Sequence, residues 1–223
     1  MFQRYAVYFT PDGEMGAAGA AWLGRDIFKG QPVAQPDFKG VDLPRLTERP
    51  RRYGFHATIV PPFRSHPDKG EADLRRALDE LGGELSAVPL SGLQITLLGR
   101  FLALTLPRDA ATTPNALAAR AVDAFHPLRA PLDQAEIDRR MRPHLTKRQA
   151  TNLRHYGYPH VMEDFRFHIT LTDRLEEPRI ATRAGESWFG ELLATPLELS
   201  HLSLVGEDTE GLFRVLQQIP LRG

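Results

Sequence analysis

The chain has 223 residues, of which 42% are hydrophobic, so it is long enough to bury a core as one domain or two small lobes. Its formal net charge is zero, and the lack of a long basic run argues against an extended nucleic-acid footprint. Without cysteine it forms neither disulfides nor thiolate metal sites, and no apolar run approaches the roughly 20 residues of a membrane-spanning helix.

In chain order, strand and helix patterns alternate. The segment 4–10 is predicted to be a strand rather than part of a signal peptide, so we expect a cytoplasmic protein. A helix is predicted over 14–28, and the Pro- and Gly-rich segment 29–50 is predicted to be a long loop. Further predicted elements are helices over 71–85, 113–125, 133–141, 146–156 and 179–193, and long strands over 89–99 and 196–206. This mixture predicts an α+β fold with antiparallel sheets.

One four-residue pattern occurs twice. Residues 55–58 read Phe-His-Ala-Thr and residues 167–170 read Phe-His-Ile-Thr, and an aliphatic residue follows each. A strand directs residues i and i+2 to the same face, so each copy presents one imidazole beside one hydroxyl. If the two strands are neighbours, the four groups form a pocket suited to acid/base chemistry on a phosphate. The predicted catalytic residues are His56, Thr58, His168 and Thr170.

The same His-x-Ser/Thr spacing also occurs at His144 and His201. Thr146, three residues before Gln149, has the pattern of a helix capping box, so we predict that His144 is a surface residue in front of a helix. His201 lies in a predicted strand, but Gln94 is its counterpart when the two halves are aligned. We therefore interpret both histidines as structural or peripheral.

The segments that follow the two motifs have the same order, which indicates an internal repeat. In both halves a His-x-Thr strand is followed by a helix, a long strand, a turn and a further strand. We therefore predict one bilobed domain over 1–223, with duplicated antiparallel sheets related by a pseudo-two-fold axis and flanked by helices. Repeat one is placed at about 50–107, repeat two at about 160–220, and a helical insert at about 112–157.

Four further residues near the motifs are candidates for binding the substrate. Arg166 lies two residues before His168, so it is expected on the same face, where it would neutralise phosphate charge. Arg52 and Tyr53 precede the first motif, and the ring of Tyr53 can stack on a base or a ribose. Tyr8, in the first strand, is a weaker candidate. A surface role for Arg166 and core packing for Tyr53 are the structural alternatives.

Paired His-x-Thr strands in two similar halves resemble the two-histidine (2H) phosphoesterase superfamily, which includes 2′-5′ RNA ligase-like proteins and cyclic phosphodiesterases. The longer strings 4–9, 51–63 and 165–172 resemble the branch found with phosphonate-metabolism operons. This resemblance implies that each His-x-Thr supplies one general acid or base and one hydroxyl that holds the phosphate. One residue departs from that branch: Val60, predicted to share the face of the first motif, stands where Lys is common.

The expected activity is metal-independent hydrolysis of a cyclic phosphodiester, with no cofactor. Histidine has an unperturbed pKa near 6.5, so it can activate water as a base or protonate the leaving sugar oxygen as an acid. The sequence does not distinguish which histidine takes which role. The candidate substrates are small: a cyclic nucleotide, an RNA end with a cyclic phosphate, or a ribose-phosphate metabolite, acted on by a monomer.

Two other functions stay open. The two histidines with Asp164 or Asp173 could bind a divalent ion in a metal-dependent phosphohydrolase, although no His-x-His or His-x-x-x-His pair is present. The same pocket could serve a non-catalytic module that binds a nucleotide or an RNA end. An NTP-dependent kinase or ligase is disfavoured because the chain has no Gly-x-x-x-x-Gly-Lys-Ser/Thr loop. A histidine-triad hydrolase is disfavoured because no run of alternating histidines occurs.

Overall fold

A seven-stranded antiparallel sheet forms the centre of the protein, in a computed structural model that describes residues 2–223. The described residues form eleven strands: β1 (Arg4–Phe9), β2 (Arg25–Asp26), β3 (Gln31–Pro32), β4 (Ala57–Phe63), β5 (Val88–Pro89), β6 (Gln94–Leu98), β7 (Phe101–Thr105), β8 (His168–Thr170), β9 (Glu198–Leu199), β10 (His201–Glu207) and β11 (Phe213–Pro220). They also form eight α-helices: α1 (Gly13–Leu23), α2 (Leu43–Leu46), α3 (Glu48–Tyr53), α4 (Glu71–Glu84), α5 (Thr112–Phe125), α6 (Gln134–Arg140), α7 (Lys147–Tyr156) and α8 (Pro178–Leu193). The predicted α+β class with antiparallel pairing is confirmed.

The strand order across the main sheet is β11-β10-β1-β4-β8-β7-β6. Two short ladders lie outside it, one between β2 and β3 and one between β5 and β9. The motif strands β4 and β8 are adjacent at the centre, and the pairing between them is antiparallel. Because the sheet is continuous through β4 and β8, the division into two duplicated lobes stays a prediction.

One face of the sheet carries the main hydrophobic core. Alternate side chains such as Val7, Ile59 and Ile169 lie on this face and are fully buried. α4 packs on β10 and β11, α5 on β4, and α8 on β6 and β7. Leu74 and Leu78 lie about one turn apart on α4, so this helix covers the sheet with an apolar stripe, as its sequence predicts. None of the helices in the described part of the chain is long and apolar enough to cross a membrane.

Three segments differ from the structure that their sequence predicts. α1 ends at Leu23 rather than at 28, because Gly24 adopts the left-handed conformation (φ +77°) and turns the chain into β2. The segment 29–50, predicted to be a loop, contains β3, α2 and the first turn of α3. The long strands predicted over 89–99 and 196–206 are each divided in two, because β5 and β9 pair with each other outside the main sheet.

Candidate active site

The two His-x-Thr motifs lie on neighbouring antiparallel strands. β4 pairs with β8 through Ala57 opposite Ile169, and both of these side chains are fully buried in the core. In an antiparallel register the residues on either side of this pair also face each other, and they lie on the other face of the sheet. All four polar side chains of the motifs therefore share one face. The facing pairs are His56 with Thr170 and Thr58 with His168.

Both imidazoles are held in the same way by the backbone two residues earlier. Nδ1 of His56 lies 2.8 Å from the carbonyl oxygen of Gly54, and Nδ1 of His168 lies 2.8 Å from the carbonyl oxygen of Arg166. A carbonyl oxygen only accepts hydrogen bonds, so Nδ1 carries the proton in both rings. In the neutral imidazole, Nε2 is then the nitrogen that remains free to accept a proton.

His56 is additionally fixed on two sides. Its Nε2 lies 3.0 Å from the hydroxyl oxygen of Thr58, which donates to the unprotonated nitrogen. The ring of Tyr8 stacks on the imidazole, with centroids 3.7 Å apart and planes at 24°. Gly54, whose carbonyl holds Nδ1, has φ +75°, and a Cβ at this position would lie 2.6 Å from Cβ of Ile27. A glycine is therefore required where α3 turns into the motif.

Both histidines have a lowered pKa, and the environment lowers that of His56 further. Burial lowers the pKa of His56 to about 4; the Gly54 carbonyl acts against this change, and the neighbouring His168 adds to it. Burial also lowers the pKa of His168, the Arg166 carbonyl again opposes the change, and His160 adds to it. Both imidazoles are consequently neutral at pH 7.

The four candidate substrate-binding residues occupy different positions. Tyr8 is fully buried, and burial raises the pKa of its hydroxyl well above its usual value. The ring of Tyr53 is 6.3 Å from that of His56 and stacks on the ring of Phe213 at 5.2 Å. Tyr8 and Tyr53 thus form the wall beside His56. The two arginines are peripheral: Arg166 is exposed, and the exposed Arg52 donates to the carbonyl of Gly211 at 3.3 Å.

Two residues near His168, each with a neighbour of its own, were not predicted from the sequence. Thr105 on β7 pairs opposite His168, and its hydroxyl is 2.7 Å from that of Thr96. His160 is close enough to lower the pKa of His168, and its ring lies 6.0 Å from that of the exposed Tyr158. No local pattern identifies these residues, because they reach the site through the pairing of β7 with β8 and through the segment that follows α7.

The two other His-x-Ser/Thr histidines lie outside this group. His144 is exposed in the turn before α7, which begins with the predicted capping box at Thr146. His201 is buried, and its Nε2 lies 2.8 Å from the carbonyl oxygen of Thr10, to which it donates. Both positions agree with a structural or peripheral role.

Val60 does not continue the alternation of the first motif. Tyr8 pairs with Thr58, whereas Val7 pairs with Val60, so the register shifts around Ile59. Val60 is buried in the main core cluster together with Val7. The shared face predicted for Val60 by simple alternation is therefore wrong.

The two aspartates considered as metal ligands are held by arginines. Asp164 accepts from Nε of Arg148 at 2.7 Å, and Asp173 accepts from the backbone N–H of Arg49 at 3.0 Å. Between residues 2 and 223, no three His, Cys, Asp or Glu side chains are grouped so that they could hold a metal ion.

Comparison with known proteins identifies a family. The family described as "Protein of unknown function (DUF1045)" matches residues 58–214, more than half of the chain. The chain belongs to this family. A protein named "Ribose 1,5-bisphosphate phosphokinase PhnN" from Janthinobacterium sp. (strain Marseille) is 36% identical over 234 residues, which cover 99% of this chain and 51% of that protein. A protein of the same name from Laribacter hongkongensis (strain HLHK9) is 35% identical over 195 residues, which cover 85% of this chain and 45% of that protein.

The chain spans about half the length of the curated relatives it matches. The DUF1045 match begins inside β4 and ends inside β11, so it contains β8 whole and most of the main sheet. Thr58, His168 and Thr170 lie within the matched residues, and His56 lies two residues before them.

Proposed function

We propose that this protein is a metal-independent phosphoesterase that hydrolyses a cyclic phosphodiester with His56 and His168 as general base and general acid. The observation that carries the proposal is the Ala57–Ile169 register, since it brings two imidazoles and two hydroxyls together on one face. The common Nδ1–carbonyl bond supports it further, because it leaves Nε2 as the reactive nitrogen of both rings. We also propose that the protein acts as a cytoplasmic monomer on a small substrate.

In the proposed reaction, water attacks phosphorus and one ring P–O bond breaks. The base takes a proton from the attacking water through Nε2, and the protonated partner histidine gives its Nε2 proton to the departing sugar oxygen. One water is consumed, and the product is a phosphomonoester with a free hydroxyl. In the complex the hydroxyl of Thr58 turns from Nε2 of His56 to the phosphate, which frees Nε2 to act as the base. Thr58 and Thr170 then donate hydrogen bonds to the non-bridging oxygens, where negative charge grows in the transition state.

We assign the base to His56 and the acid to His168. A base must be neutral, and the pKa of about 4 keeps His56 neutral over most of the pH range. The acid must be protonated; burial lowers the pKa of His168 as well, but no aromatic ring stacks on this imidazole, since Phe101 lies 6.1 Å away at 54°. An anionic phosphate bound between the rings favours the protonated imidazole and raises the pKa of His168 in the complex.

The strand order supports an internal duplication with a boundary different from the one predicted. If β1, β4 and β6 form one unit and β7, β8 and β10 form the other, the sheet order becomes symmetric about the β4–β8 pair. Each unit then contributes its first strand, its motif strand and a third strand that crosses to the other unit. We propose that the repeats run over 4–98 and 101–207, with β11 added at one edge.

The printed names of the relatives favour a ribose phosphate within the proposed substrate class. Opening a cyclic phosphodiester that includes O1 of ribose 5-phosphate can give ribose 1,5-bisphosphate, the compound in those names. The resemblance to the branch associated with phosphonate operons favours the same metabolic setting. We propose that the phosphokinase activity resides in the part of the relatives that this chain does not span, because the chain has no Gly-x-x-x-x-Gly-Lys-Ser/Thr loop.

A phosphokinase activity of this chain itself is the second candidate, and the names of the two relatives are the observation that favours it. It differs from hydrolysis in requiring ATP and a divalent cation. Phosphorus NMR separates the two candidates in one assay format. One arm offers a panel of cyclic phosphodiesters in excess EDTA, and the other offers ribose 1,5-bisphosphate with ATP and Mg²⁺.

We expect ring opening of at least one cyclic phosphodiester in EDTA, and no consumption of ATP. Ring opening that stops in EDTA and returns with added zinc or manganese would favour the metal-dependent phosphohydrolase. ATP-dependent phosphorylation with no ring opening would favour the kinase. Binding of the panel without turnover would favour the non-catalytic module.

A further inference from the structure

A group of cationic side chains lies at the far end of the sheet from the two histidines, and its two members on β1 and at the end of β4 are on the same sheet face as the histidines. Four arginines line one open-sided cleft at the far end of β1 and β4. On β1, alternation puts Arg4 on the face of Tyr8, which stacks on His56. The pairing of Tyr5 with Phe63 brings Arg64 beside Arg4. This arginine cluster consists of Arg4, Arg64, Arg129 and Arg140.

The cluster and the histidines are separated by a distance that a small substrate can span. Tyr8 and Arg4 are four residues apart on one strand, which corresponds to about 13 Å between their Cα atoms. A molecule with two phosphates can therefore contact the histidines with one and the cluster with the other.

Two carboxylates balance only part of the positive charge. Glu207 accepts from Arg4 at 2.5 and 2.6 Å, and Glu136 accepts from Arg64 at 2.8 and 2.5 Å. Arg140 is 3.7 Å from the same Glu136 oxygen that faces Arg64, and it also donates to the carbonyl of Gly157 at 3.1 Å. Arg139 shares Glu136 as well, at 3.7 Å.

Arg129 is the member of the cluster whose guanidinium has no carboxylate or carbonyl partner for two of its nitrogens within residues 2–223. Its Nε and Nη1 are buried, and within residues 2–223 they have no hydrogen-bond partner. The group lies against the backbone of Gly157, where a Cβ would be 1.8 Å from Nη2. Burial and, to a smaller extent, the nearby charge of Arg140 lower the pKa of Arg129 to about 10, while Glu136 acts against this change. Buried donors without acceptors are costly, and an anion that reached this guanidinium would supply the missing acceptor.

We propose that the arginine cluster binds a second phosphate of the substrate, on the same molecule whose cyclic phosphate lies between His56 and His168. The inference rests on the proposed function for the position of the first phosphate. Guanidinium forks match phosphate oxygens with two parallel hydrogen bonds, which suits a phosphate monoester or diester. The cluster thus selects cyclic phosphodiesters that carry a further phosphate over those that do not.

The test compares matched ligands by isothermal titration calorimetry. Uridine 2′,3′-cyclic phosphate and the corresponding UpU dinucleotide are each prepared with and without a 5′-phosphate. Binding is measured on a His168→Ala background, which slows turnover by at least about 10²-fold. We expect the 5′-phosphate to tighten binding of at least one ligand by about 10- to 100-fold, as charge-assisted hydrogen bonds do. Arg129→Gln should bring the ratio of the dissociation constants without and with the 5′-phosphate close to one, and Arg140→Gln should reduce this ratio. Arg76→Gln on α4, which breaks an exposed pair with Asp73, should keep it.

The proposal would be overturned if the 5′-phosphate gave no gain in affinity with all arginines present. It would also be overturned if the gain were kept in both Arg129→Gln and Arg140→Gln. If Arg129→Gln unfolds by circular dichroism, Arg140→Gln decides. Failure of the proposed function looks different: wild-type protein opens no cyclic phosphodiester, yet the 5′-phosphate effect is present and depends on Arg129. In that case the cluster stands as a phosphate site independent of the reaction.

Discussion

The two copies of the motif have the same residues and the same backbone support but different surroundings. His56 is covered by the ring of Tyr8 at 3.7 Å and is held at Nε2 by Thr58. His168 has Phe101 as its aromatic neighbour at 6.1 Å, and no described residue forms a hydrogen bond with its Nε2. Environment therefore distinguishes two sites that the sequence makes alike.

This difference supports a division of roles between the two halves. Burial lowers the pKa of both rings, and the ring that is stacked and hydrogen-bonded has a value of about 4. Two like groups whose environments separate their pKa values can serve as base and acid at one phosphorus. A duplicated sheet would thus supply both partners of the reaction, and packing around each partner would assign its role.

Removing either imidazole should have the largest effect. We expect His56→Ala and His168→Ala each to lower kcat by at least about 10²-fold, because each removes one proton transfer. The rate is measured on the cyclic phosphodiester identified by phosphorus NMR, and the fold is checked by circular dichroism. The exposed His144→Ala is the matched control and should retain the wild-type rate. A wild-type rate in either motif variant would rule out the paired mechanism.

Removing either motif hydroxyl should have a smaller effect. We expect Thr58→Val and Thr170→Val to lower kcat by about 10²-fold, the low end for a lost donor to a developing oxyanion. The substitution keeps the side-chain shape, and Thr151→Val on the exposed side of α7 is the control. If kcat is unchanged and only KM rises, these hydroxyls bind the ground state rather than the transition state.

Removing the ring that stacks on His56 should shift the pKa of this histidine with only a modest loss of rate. Tyr8→Leu exposes the imidazole of His56, so the pKa of His56 should rise from about 4 toward 6.5. Phe101→Leu, near the other histidine, should leave the pKa of His56 unchanged. Histidine Cε1 resonances followed by NMR against pH measure both values. An unchanged His56 pKa in Tyr8→Leu would show that the stacked ring is not what buries it.

Much of this site could be predicted from the sequence, because the chemistry lies in short strands. The i, i+2 spacing of His56 and Thr58 fixes their common face, and the capping pattern at Thr146 fixes the start of α7. The register shift that turns Val60 into the core and the left-handed Gly24 that ends α1 depend on tertiary packing. Local patterns carry no signal for either feature.

The walls of the site are harder to predict, because they join distant segments. Tyr8 reaches His56 through the pairing of β1 with β4, and Thr105 reaches His168 through the pairing of β7 with β8. The arginine cluster draws its members from two strands or their ends and from the region around α6. Only the strand order and register bring such residues together, and neither is encoded in any single window of sequence.

The division of roles is tested most directly by the pH dependence of kcat/KM for wild-type protein and for His168→Ala. For the wild type we expect a bell that rises with pH through about 4, as His56 loses its proton, and falls through the lowered pKa of His168, so that its optimum lies below 6.5. The residual activity of His168→Ala should lose the falling limb and rise to a plateau, because the base alone remains. Residual activity that instead falls as pH increases through 4 would make His56 the acid, and a wild-type profile without two limbs would contradict the acid/base pair.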